Sequence, residues 1–133
     1  MTKVADKITT IICDDIRREI GNKDSLMGIY QDVIILSIPG ILPRLSLMAF
    51  LRGLTKPLTH CVIRLLIPKA EPREWPFEAP TGKQNEKNAR ITITAGPIEI
   101  KAPGFACWEV YLNKSKKPQI IHEFEIRTIK SQI

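Results

Sequence analysis

Strict alternation of apolar and polar residues dominates the last third of the chain. Ile91-Thr92-Ile93-Thr94 and Ile98-Glu99-Ile100-Lys101 flank the turn Ala95-Gly96-Pro97. After Ala102-Pro103-Gly104, the residues Ala106, Trp108, Val110 and Leu112 share one set of alternate positions. Beyond a lysine-rich turn, Ile120, His122, Phe124, Ile126 and Thr128 oppose Glu123, Glu125 and Arg127. Successive side chains of a strand leave on opposite faces, so this stretch predicts an antiparallel meander with one wet face.

The same period recurs upstream. Lys7 to Cys13 predicts a first strand, Leu26 to Tyr30 and Val33 to Ile38 two short ones. Leu45, Leu47, Ala49 and Leu51 alternate with Ser46, Met48, Phe50 and Arg52, and Cys61, Ile63, Leu65 and Ile67 oppose Arg64. Residues 14–20 fit two forms. Ile16 and Ile20 fall four apart before Gly21, as in a short helix, and the segment also reads as a continued strand with polar residues outward. Asn22-Lys23-Asp24 predicts a turn. Pro39 and Pro43 predict a bend, because neither donates to a sheet ladder. Pro68, Pro72, Pro76 and Pro80 recur every four residues, which predicts a proline-rich loop over 68–90.

Together these elements predict an all-β fold: an antiparallel β-sandwich of immunoglobulin or C2 type, or a barrel, with about eight strands and at most one short helix. Composition agrees. The chain holds 21 Ile against 8 Ala, and β-branched residues suit a pleated, half-buried surface better than a long helix. Its 133 residues predict a single domain able to bury a core without a disulfide or metal staple.

Charge adds a partner class. Lys and Arg total 20 against 14 acids, a net +6, and such a surplus attracts polyanions. It is spread evenly in sequence: residues 1–66 carry 9 basic and 6 acidic groups, residues 67–133 carry 11 and 8, so each half is +3. The one tight cluster, Lys114, Lys116 and Lys117, falls in the predicted hairpin turn and is the nucleic-acid candidate. No zinc-finger spacing, basic helix or RNA-binding aromatic motif accompanies it.

Catalytic and metal chemistry find little support. Cys13, Cys61 and Cys107 are isolated within apolar runs, so they read as small buried hydrophobes of a reducing compartment. His60 and Cys61 are consecutive and would leave a strand on opposite faces. His122 reads as a satisfied residue beside Phe124. Thr81-Gly82-Lys83 has the tail of a phosphate-binding loop without its upstream glycine. Asp14 and Asp15 lie among Arg17, Arg18 and Lys23, which neutralise them without a metal. We therefore expect no enzyme, cofactor or metal. Apolar runs of five or six residues fall far short of the ~20 that cross a bilayer, and the first residues lack a leader's apolar stretch, so a cytoplasmic protein is expected.

Two surfaces remain. Arg73, Trp75 and Phe77 in the proline loop carry the residue types of interface centres and are the partner-binding candidates; the alternative is that Trp75 and Phe77 fold back to cover a sheet face or edge. Asp14, Asp15, Arg17, Glu19 and Lys23 form a possible charged network between two apolar strands.

Residues 13–45 carry a resemblance as well. Cys13-Asp14-Asp15-Ile16-Arg17, Glu19, Asn22-Lys23, Ser25-Leu26, Gly28-Ile29-Tyr30, Pro39 and Leu42-Pro43-Arg44-Leu45 resemble an uncharacterised family of small bacterial and phage proteins. His60, Arg64, Pro68 and the segment Gly104 to Ile126 extend the likeness. The resemblance implies a β-sandwich and no particular activity. The expectation that follows is a non-enzymatic protein-binding module of bacterial or phage origin, binding another protein or a second copy of itself through edge strands and the proline loop. The alternative is a basic nucleic-acid-binding protein.

Overall fold

The computed structural model describes residues 3–78 and 87–129. Their strands are β1 (Ala5–Glu19), β2 (Lys23–Ile29), β3 (Val33–Leu36), β4 (Gly40–Leu42), β5 (Leu45–Leu54), β6 (His60–Leu66), β7 (Arg73–Glu78), β8 (Asn88–Ala95), β9 (Ile98–Ile100), β10 (Gly104–Leu112) and β11 (Ile120–Thr128). No helix occurs among the described residues. Sheet A runs β2-β1-β5-β8, sheet B runs β3-β11-β10-β6-β7, and β4 pairs with β9 in a small third sheet.

The alternation seen in the sequence builds the core. Leu45, Leu47, Ala49 and Leu51 of β5 turn inward from sheet A. They meet Cys61, Ile63 and Leu65 of β6 and Ala106, Trp108, Val110 and Leu112 of β10, all in one apolar cluster. Two sheets facing across such a cluster form the expected all-β sandwich. One pair departs from antiparallel grammar: β3 runs parallel to β11, Ile34 beside Ile126.

One open reading is decided and two local expectations are corrected. Residues 14–19 continue β1, and Ile20, which mimicked helical spacing with Ile16, is 95% exposed at the hairpin tip. Gly21 and Asn22 adopt the positive φ that closes this tip, so Lys23 and Asp24 belong to β2. The proline loop is interrupted by β7, which pairs antiparallel with β6. Pro76 is tolerated there because β7 is the edge of sheet B, where a missing N–H breaks no inner ladder. Residues 68–72 form a turn and irregular backbone before β7, residues 88–90 open β8, and residues 79–86, including Thr81-Gly82-Lys83, lie outside the described residues.

The β1–β2 hairpin folds across the outer face of sheet A. Two strands separate β2 from β8 in that sheet, yet Asp24 Oδ2 of β2 stands 3.0 Å from Arg90 Nε of β8. Beneath lies Met48, on the side of β5 opposite the core, and it is buried. Gly28 takes φ 68° where its backbone passes the Asp14 carboxylate, a close approach that a Cβ would block.

Cys61 sits in the core, and burial pushes its thiol pKa from 9.0 up to about 12. Between those values the unfolded chain releases this proton first. Stability is therefore held below pH 9 and lost as pH rises toward 12, at up to about 1.4 kcal/mol per pH unit for one group. Cys13 and Tyr30 are raised by burial in the same direction. Urea midpoints measured at stepwise pH above 9 should fall, and Cys61→Ala should flatten the decline; an unchanged slope in that variant would refute the assignment.

Candidate functional site

One end of the sandwich gathers the positive surplus of the described residues. There the β5–β6 connection crosses between sheets, Thr55 N–H donates to Val4 O, and Leu54 N–H donates to Lys87 O. Lys7 and Arg52 are cross-strand neighbours in sheet A, and Asn88 follows on β8. The β10–β11 turn arrives from sheet B. Lys3, Lys7, Arg52, Lys56, Lys87, Lys114, Lys116 and Lys117 therefore share this end with the acids Asp6 and Glu78. Eight cations against two anions make +6 here. The remaining described residues carry ten basic and eleven acidic groups, so they sum to −1. Among the described residues none of the eight has a carboxylate within ion-pair distance, whereas Arg17, Arg18, Arg44, Arg64, Arg90 and Arg127 all do.

The turn that presents the lysines is anchored. Asn113 and Lys114 adopt φ of 53° and 61°, and Asn tolerates this region well. Asn113 Nδ2 donates to Pro57 O at 3.0 Å, and its Oδ1 accepts from Thr59 N–H at 2.7 Å. Its N–H donates to His60 O at 2.8 Å. The lysines are exposed on a loop whose base is pinned to the other crossing of the fold.

A cleft opens on each side of this turn. One, of about 820 Å³, lies between the start of β1 and the turn, with Lys3, Asp6, Lys116 and Lys117 on its walls and Val4 and Ile8 at its base. The other, of about 750 Å³, lies on the outer face of sheet B and takes Lys114 and Lys116 as its rim. Register fixes its floor: Tyr111, Val62 and Pro76 stand abreast on β10, β6 and β7. The next row is charged, Glu109, Arg64 and Glu74, with Arg64 3.6 Å from Glu109 and 3.5 Å from Glu74.

The predicted partner-binding residues divide. Trp75 turns onto Trp108, ring centroids 5.9 Å apart, and joins the core. Arg73 lies 5.0 Å over the Trp75 ring and donates to Pro97 O. Phe77 alone stays partly open, at the wall of the 750 Å³ cleft. The charged network is also only partly assembled. Asp15 pairs with Arg17 and Arg44, and Asp14 accepts from Tyr30 OH. Glu19 and Lys23 face each other in register without an ion pair among the described residues. The buried acid is Asp24, held between Arg18 and Arg90, and sequence spacing carries no signal for it. Cys13 and Cys61 are buried, and Cys107 is half-buried on the outer side of β10.

His122 bridges the layers. Its Nδ1 lies 2.6 Å from Thr10 Oγ1 of sheet A and its Nε2 2.6 Å from Asp32 Oδ1. With a neutral ring, Nε2–H donates to the carboxylate and Nδ1 accepts from the hydroxyl. Asp32 reaches it from a backbone at φ 62° between β2 and β3, tied down by its carbonyl accepting from Glu125 N–H. Thr10 and Asp32 were invisible as partners because they lie 112 and 90 residues from His122.

No protein-family model and no curated protein matches the chain. A solved structure that it resembles is Pseudomonas fluorescens alkylpurine DNA glycosylase AlkC bound to DNA containing an abasic site analog. The overlap has a TM-score of 0.44 and 16% identity, covering 73% of this chain and 28% of that one. The chain thus spans under a third of that protein. The expectation of a protein-binding module is corrected: the aromatic loop meant to carry it is a strand whose Trp75 packs inward on Trp108. No helix of the described residues is long and apolar enough to cross a membrane.

Proposed function

We propose that the chain binds the phosphate backbone of nucleic acid through the lysine-rich end of its sandwich. The observation that carries this reading is the segregation of charge. Among the described residues the positive surplus sits at one end, on side chains without acidic partners, while the others are near balance. Unpaired cations cost nothing to desolvate from a partner before they meet phosphate, and clustering raises the local potential that steers a polyanion in. The reading needs no reaction: it makes the chain a binder.

The test is salt. Lys3, Lys56, Lys114, Lys116 and Lys117 project from the end's loops. Five phosphates neutralised on a single strand give a slope of about −3.5 in log K against log salt, or roughly a hundred-fold loss between about 50 and 200 mM. Fluorescence anisotropy with a labelled oligonucleotide measures it. A flat salt response, or no binding at low salt, overturns the proposal.

A further inference from the structure

The cleft on sheet B shows what form of nucleic acid the lysine end would hold. We propose that it takes one unstacked nucleotide of a single strand, its base on the Tyr111–Val62–Pro76 row and its phosphate toward Lys114 and Lys116. This rests on the nucleic-acid reading above. The row is an apolar, partly aromatic strip, with the lysine rim on one side and the charged Glu109–Arg64–Glu74 row on the other. A nucleotide has the same order: phosphate, then flat ring, then a polar base edge. A base π-face stacks on an aromatic side chain regardless of sequence, and a strand held this way must leave its bases unpaired. A volume of about 750 Å³ falls within the usual size of small-ligand sites.

The far row offers more than a wall. Arg64 holds its two carboxylates loosely, at 3.5 and 3.6 Å, and its Nε makes no hydrogen bond among the described residues. Tyr111 OH is likewise stretched, donating to Glu109 at 3.3 Å. Glu74 is more than half exposed and free to accept. Carboxylates accept from exocyclic amino groups, as they do from cytosine N4. The row therefore favours cytosine or adenine over thymine.

Two variants of Tyr111 and two probes test this. Tyr111→Leu should weaken a single-stranded oligonucleotide at least about ten-fold while leaving the slope of log K against log salt unchanged, and Tyr111→Phe should restore binding. Cytidine monophosphate should shift the backbone amide resonances of Val62 and Tyr111, thymidine monophosphate more weakly, and inorganic phosphate only those of the lysine turn. Equal oligonucleotide affinity in all three proteins, or nucleotide shifts confined to the turn, overturns the cleft while leaving the basic end standing. No oligonucleotide binding by the native chain overturns both.

Discussion

Replacing Lys114, Lys116 and Lys117 together with glutamate should lower affinity for single-stranded nucleic acid by about three orders of magnitude at low salt. Three of the five loop lysines lose their phosphates, which removes about 2 from the salt slope, and three new anions repel what remains. The fold should be untouched. All three side chains are exposed, and the turn is held by Asn113 rather than by the lysines. Lys114 already occupies positive φ, where glutamate is strained no more than lysine. A melting temperature near that of the native chain, alongside lost anisotropy, separates a binding defect from a folding one. Undiminished binding would show that the charge at this end is solvated ornament.

Trp108→Ala should nearly unfold the protein. Trp108 lies on β10, central in sheet B, with Leu65 on one side and His122 on the other, and none of its surface meets solvent. Truncating a buried tryptophan costs about 3–5 kcal/mol, because the transfer term and the cavity term add. A domain of this kind commands only about 5–15 kcal/mol in all. Trp75 would lose the ring it packs on, and the β7 edge would loosen with it. The urea midpoint should drop by roughly 2 M. Phe105→Ala on the same strand is the control: that ring is 80% exposed, and its loss should move stability by no more than about 0.5 kcal/mol. Equal midpoints for the two variants would contradict the core described above.

How legible each part was depends on whether its cause is local. The strands β8 to β11 could be read directly, since alternation is itself the physical consequence of one buried face. The strand β7 could not, because proline forbids an inner strand, and nothing local in Arg73–Glu78 says that it will lie at an edge. Residues 14–20 were ambiguous for a different reason. Two isoleucines four apart satisfy a helix, and only the register of Ile16 opposite Leu26 decides for a strand. The lysine turn was visible as a cluster. Its significance was not, because Lys3, Lys7, Arg52, Lys56 and Lys87 are scattered singly along the chain and meet only when both sheets close. Each half of the sequence carries the same +3, which hides the gathering of the described residues' positive surplus at one end.

The parallel pairing of β3 with β11 has a consequence for synthesis. Ile34 waits beside a gap until Ile126 has been made, and β10 gains its second neighbour only then. Sheet A can assemble from residues 5–95, but sheet B lacks a continuous middle until the ribosome has passed residue 128. Loops that long close slowly. The nascent polypeptide therefore carries a half-built layer, and Trp108, once made, keeps one flank uncovered until β11 has followed it and paired alongside.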